Sequence, residues 1–94
     1  MEFSVSYSPR FERDFDRLAR KNPPLIALLD ELKPVLQVDP YNRSRMYRIK
    51  KLEDIKHGEG QWCLRIRRFR VRYDIIDFVV RLHSIKPRKD AYKE

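Results

Sequence analysis

Five arginines fall within eight residues: Arg65, Arg67, Arg68, Arg70 and Arg72, with apolar residues between them. A guanidinium group binds phosphate through parallel hydrogen bonds and keeps its charge at any physiological pH. A dense arginine group on an ordered surface is therefore suited to hold a phosphodiester, or to neutralise charge that develops on it during a reaction. The interleaved apolar residues supply the order. Trp62, Leu64 and Ile66 alternate with Cys63, Arg65 and Arg67, while Phe69, Val71, Tyr73 and Ile75 alternate with Arg70, Arg72 and Asp74. Such period-two alternation marks strands with one buried face. A tight hairpin turning at Arg67-Arg68 sets Ile66 against Phe69, Leu64 against Val71 and Trp62 against Tyr73, all on one side. The same register sets Arg65 directly opposite Arg70 and Cys63 opposite Arg72. A slip of one residue would turn arginines into the core, so the pattern specifies the register. Like charges directly opposed destabilise a sheet. Arg-Arg is also a poor two-residue turn, where Asn-Gly or Asp-Gly is preferred. Two readings of the facing pair stand: cations screened by water and flanked by Asp74 and Glu59, or a platform for phosphate.

The charge distribution agrees with the second reading. The chain of 94 residues has a formal net charge of +8. Residues 1–47 hold eight Lys/Arg and seven Asp/Glu, whereas residues 48–94 hold fourteen and seven. The C-terminal half thus carries nearly all the excess, which implies a polyanionic partner, most often nucleic acid. Its last segment, Lys86-Pro87-Arg88-Lys89-Asp90-Ala91-Tyr92, adds phosphate-binding cations and a tyrosine that can stack on a base or move a proton.

Other chemistries find little support. His57 and His83 are the only histidines and Cys63 the only cysteine, so no internal disulfide forms and no metal-ligand spacing is present. No metal and no cofactor are expected. With two glycines the chain has no glycine-rich phosphate loop. Cys63 is opposite Arg72, a cation able to lower its pKa, but has no evident general base and reads as a spare thiol. The absence of about 18 consecutive apolar residues argues against a membrane span. The start Met1-Glu2-Phe3-Ser4 does not read as a signal peptide, and a cytoplasmic location is expected.

The elements that must position these residues follow from periodicity. Phe3, Val5 and Tyr7 alternate with Glu2, Ser4 and Ser6 in a half-buried strand. Ser8-Pro9 reads as a helix cap followed by proline at the first helical position. Phe11, Phe15 and Leu18 then give one apolar stripe over 9–21. Asn22-Pro23-Pro24 breaks this helix and can cap the next, which carries leucines to about residue 38 and a kink or restart at Pro34. Asp39-Pro40-Tyr41-Asn42 is a turn. A strand is expected over 45–52, a loop over 53–60, and three closely connected strands over 61–67, 69–77 and 78–86. The order β-α-α-β-β-β-β predicts a single α+β domain spanning 1–94, an antiparallel sheet with the helix hairpin packed on one face.

The N-terminal strand, the helix hairpin ending in Asp39-Pro40, the run Leu64-Arg65-Ile66-Arg67-Arg68-Phe69-Arg70-Val71-Arg72-Tyr73 and the ending Arg88-Lys89-Asp90-Ala91-Tyr92 resemble the RelE/ParE toxin superfamily over almost the whole chain. Lys86-Pro87-Arg88 is similar to archaeal RelE-type members. The resemblance implies a toxin of a type II toxin–antitoxin pair: a ribosome-dependent mRNA endonuclease that cuts in the A site without metal, through attack of the RNA's own 2′-hydroxyl. It implies that Arg70 and Arg88 stabilise the phosphate and that Tyr92 stacks on the base or acts as general base. Arg65, Arg67, Arg72, Lys86 and Lys89 would contact RNA. A RelB-like antitoxin, the ribosome and mRNA are the implied partners. The sequence departs from the family in having Arg67-Arg68 where many members have a glycine-containing turn, and Pro87 where several have histidine. The alternatives are the ParE branch, which inhibits DNA gyrase, and a non-catalytic RNA-binding module.

Overall fold

The structure, a computed structural model, describes residues 2–88. Seven elements run in the expected order: β1 (Ser4–Tyr7), α1 (Pro9–Lys21), α2 (Leu25–Val38), β2 (Ile49–Lys51), β3 (Trp62–Ile66), β4 (Phe69–Ile76) and β5 (Val79–Pro87). They form a helix pair packed on a five-stranded sheet of order β1-β5-β4-β3-β2. No helix among the described residues is long and apolar enough to cross a membrane.

The apolar stripes of the helices meet the alternating apolar face of the sheet. Phe11, Leu28, Leu32 and Leu36 from the helices are at most 2 % exposed, as are Val71, Tyr73, Val80, Leu82 and Ile85 from the sheet. Each large apolar side chain buried in this way contributes on the order of 1.5–3 kcal/mol. Val5 and Tyr7 of the first strand, and Phe3 just before it, pack against the rim of the same core. The Tyr73 hydroxyl is drawn into it and donates to the Pro40 carbonyl at 2.7 Å, which ties β4 to the turn after α2. Burial raises the Tyr73 pKa far above the ordinary phenol range.

Ser8 caps α1 as its sequence context predicts. Its Oγ accepts from the Phe11 amide at 3.0 Å and donates to the His83 carbonyl at 2.9 Å, so one hydroxyl joins the start of α1 to β5. Asn22 caps the end of α1, where both its backbone N–H and its side-chain amide donate to the Leu18 carbonyl. The Asn22 carbonyl in turn accepts from Leu25 at 2.8 Å, which starts α2 without a side-chain cap.

The structure corrects two expectations and narrows a third. The sheet is mixed, because β1 pairs in parallel with β5, Ser4 beside Val79 through Tyr7 beside Leu82. The crossover is the whole chain between them, a connection long enough to hold both helices and three strands. The strand expected over 45–52 is confined to Ile49–Lys51. Arg45 has φ +61°, and the Asn42 side chain binds Tyr47 as a backbone strand would, giving to its carbonyl at 2.8 Å and accepting from its amide at 3.1 Å. That substitute removes the ladder from this segment. Finally, α2 runs through Pro34 without a restart.

Candidate nucleic-acid interface

The β3–β4 hairpin has the register read from its alternation: Ile66 opposite Phe69, Arg65 opposite Arg70, Leu64 opposite Val71, Cys63 opposite Arg72 and Trp62 opposite Tyr73. Ile66 and Phe69 flank a two-residue turn in which Arg67 takes φ +52°, the left-handed region. With the apolar partners in the core, Arg65 and Arg70 project from the face away from the helices.

The neighbouring strands extend this pair into a row. Arg70 lies beside Lys86 of β5. On the other side the Arg65 amide donates to the Arg48 carbonyl at 2.9 Å, one residue before Ile49 of β2 pairs with Leu64. Alternation with the core-packed Ile49 puts Arg48 on the same face. Arg48, Arg65, Arg70 and Lys86 therefore stand abreast on adjacent strands, each roughly 5 Å from the next along the sheet. The stems of the two central arginines are packed down, with the Nε atoms of Arg65 and Arg70 buried. Arg88 closes the row at the hairpin end, where its amide donates to the Arg68 carbonyl at 2.6 Å.

Lys86 reaches this face because of a bulge. Arg72 pairs with Ser84 and Tyr73 with Leu82, so His83 is an extra residue in β5. Val80 and Leu82 point into the core before the bulge and Ile85 after it, which reverses the parity of the strand's end. The break in alternation between Leu82 and Ile85 is the sequence signal of this bulge.

Two arginines of the cluster are engaged elsewhere. Arg67 turns toward the helices and makes a two-pronged ion pair with Glu31 of α2, through Nε at 2.9 Å and a second contact from its Nη2. The pair raises the Arg67 pKa and lowers that of Glu31. Arg72 bends over the 53–60 loop, giving Nε to the Gly60 carbonyl at 3.0 Å and Nη2 to the Glu59 carbonyl at 2.6 Å. The structure brings together Arg65, Arg70, Lys86 and Arg88 but does not bring Arg67 into the row. Lys89 and Tyr92 lie outside the described residues.

Asp74 holds the same loop from below, a role its sequence context does not announce. Its buried carboxylate accepts from the amides of Gly58, Gly60 and Gln61 at 2.9–3.1 Å. A polar residue in the middle of a strand, facing a loop with two glycines, is the signal that could have found it. Sequence reasoning also misses Arg48 as a site residue, although its alternation with Ile49 is visible there.

Electrostatics follow this geometry. Burial raises the Cys63 pKa, and the opposing pull of Arg70, Arg72, Arg65 and Lys50 does not overcome it. The raised pKa agrees with a spare thiol, and the four named cations place positive charge near it. Among the described residues no three His, Cys, Asp or Glu side chains are grouped to hold a metal ion. Facing guanidinium groups about 5 Å apart at their bases can grip one phosphate from two sides, in which case the repulsion within the pair is relieved by the ligand.

No family model matches the sequence, and no curated protein matches it in a sequence search. Solved structures do match. A chain of the RelBE2 toxin–antitoxin complex from Mycobacterium tuberculosis superposes with a TM-score of 0.72 at 21% identity, over 94% of this chain and 100% of that one. YafQ from Escherichia coli gives 0.67 at 18% identity, over 96% and 98%. The DinJ–YafQ toxin–antitoxin complex from E. coli gives 0.69 at 16% identity, over 98% and 99%. The chain therefore has the RelE-like α+β fold of these proteins over 94–98% of its length.

Proposed function

We propose that this RelE-like chain is the toxin of a type II toxin–antitoxin pair and acts as a metal-independent endoribonuclease on mRNA in the ribosomal A site. The observation that carries the reading is the pairing of Arg65 with Arg70 at the centre of a cationic row. Similarity to chains from toxin–antitoxin complexes supports the toxin role and a small RelB-like antitoxin as partner.

In the reaction, the RNA 2′-oxygen forms a bond to the adjacent phosphorus as the bond to the 5′-oxygen breaks. A 2′,3′-cyclic phosphate and a 5′-hydroxyl result. The 2′-hydroxyl proton leaves to a base and the 5′-oxygen gains one. Arg65 and Arg70 hold the phosphate, and Arg70 stabilises the charge that builds on its oxygens. Arg88, at the end of the row, neutralises the leaving oxygen. Tyr92 stacks on the base or takes the 2′-proton. Lys86 and Arg48 extend the grip along the strand of RNA, and Lys89 adds charge beyond it. Arg67 and Arg72 act differently in this reading, holding the hairpin to α2 and the 53–60 loop to the sheet.

The test is induced expression followed by mapping of mRNA 5′ ends. New ends in translated regions are expected, reduced at least a hundredfold by Arg70→Ala or by Arg88→Ala, in line with loss of about 3 kcal/mol of transition-state stabilisation. Growth arrest without new ends would favour a gyrase inhibitor. Unchanged cleavage in both variants would remove the assigned roles.

A further inference from the structure

A second cationic cluster lies on α1 and β5, at the far end from the hairpin turn. A cavity of about 350 Å³ opens there where the start of α1 meets β4, β5 and the 53–60 loop, with Asp74 and Arg81 on the side of the sheet that carries the row. Arg10 and Arg13 of α1 and Arg81 and His83 of β5 line it, with Gly58 and Asp74. Arg10 approaches Asp14 only at 3.9 Å, and neither Arg13 nor Arg81 makes an ion pair among the described residues.

One carboxylate lies in the wall: Asp74, directly opposite Arg81 in the sheet and accepting from the amides of the 58–61 segment. It offsets one of the three arginines in the lining and leaves a net positive charge. His83 is surrounded by charges of both signs. Burial, Arg10 and Arg72 lower its pKa against the weaker pull of Asp74 and Glu59. The start of α1 is not itself the attraction, since Ser8 already occupies the Phe11 amide.

The cavity is reached from the arginine row along β4, where Arg70, Arg72 and Asp74 alternate onto one side of the strand. Arg70 and Asp74 are separated by four residues of β4, roughly 13 Å, and Arg72 lies between them. One extended strand of nucleic acid can run from the row, past Arg72, to the cavity.

We propose that this cavity is a second phosphate site, which takes a phosphodiester of the same RNA strand that the Arg65–Arg70 row holds. The proposal rests on the RNA reading above and adds to it a subsite away from the reacting phosphate. Arg13 and Arg81 supply the contacts, and His83 senses the bound anion.

The test uses the full chain and an Arg13→Gln/Arg81→Gln variant, both positions being exposed. Its fold is checked by amide spectra. Inorganic phosphate is expected to shift the His83 ring resonances of the wild type and to leave them unmoved in the variant. Single-stranded RNAs of about four and about twelve nucleotides are then bound to both proteins. The longer RNA is expected to bind the variant about tenfold more weakly, with a salt slope shallower by about 0.7, the share of one phosphate on a single strand. The shorter RNA is expected to bind both equally. If the wild type binds neither RNA, the RNA reading fails and the proposal with it. If it binds both and the variant matches it on the longer one, the second site alone is overturned. Equal phosphate shifts in the two proteins overturn it as well.

Discussion

His83 sits at the bulge of β5, half-buried, with Nδ1 3.2 Å from the Ser84 hydroxyl. Burial, Arg10 and Arg72 keep its pKa below the ordinary 6.5. The folded protein therefore binds fewer protons than the unfolded chain just below that value, and stability increases with pH across the interval. The urea midpoint is expected to fall as pH is lowered from about 6.5, and His83→Gln should flatten that part of the profile; an identical slope in the variant would refute this role. Gly60, next to His83, is constrained in two ways. It takes φ +78°, and a Cβ there would stand 3.0 Å from the Arg72 Cβ and 3.1 Å from His83 Nδ1. Gly60→Ala should cost about 1–3 kcal/mol in chemical denaturation. Gly58→Ala, also at positive φ but in open space, should cost less.

At the scale of elements, Ser8 joins α1 to β5 through two hydrogen bonds. Ser8→Ala removes the helix cap and leaves the His83 carbonyl without this donor. A loss of about 1–2 kcal/mol in urea denaturation is expected; a loss near zero would show that water replaces the hydroxyl. The same contrast of near and far partners explains what the sequence disclosed. The β3–β4 register was legible residue by residue, because alternation on two adjacent strands admits one solution. The Ser8 cap and the helix stripe of Phe11 and Phe15 were legible for the same local reason. The pairing of β1 with β5 was not, since nothing in Ser4–Tyr7 names a partner strand so far away. Arg67 and Arg72 looked equivalent to Arg65 and Arg70 in the run. Glu31 and the carbonyls of Glu59 and Gly60 separate them, and those partners are 36, 13 and 12 residues distant. The facing Arg65–Arg70 pair was therefore readable from the sequence, whereas the wider row with Arg48 and Lys86 required the sheet order and the bulge.

For the whole molecule, the fold sorts its residues by side: the helices and core on one face of the sheet, the cationic row on the other. With a net charge of +8 and four abreast cations, binding to single-stranded RNA should weaken steeply with salt. A log–log slope of about −3 is expected, and Arg65→Gln should reduce it without changing the thermal midpoint by more than a few degrees. A slope near zero would mean that this face does not meet a polyanion. The parallel pair also sets an order of events in folding. Ser8 bonds to His83 across 75 positions, so the first strand cannot close the sheet until the last has emerged. The β3–β4 and β4–β5 hairpins have short connections and can form without waiting for β1. During synthesis the N-terminal strand and the helix pair must therefore exist with an unfinished core, their apolar stripes lacking the strand that will cover them. The chain is thus a late-closing structure, and slowing translation across residues 79–87 should prolong the interval in which a protease or chaperone finds it open.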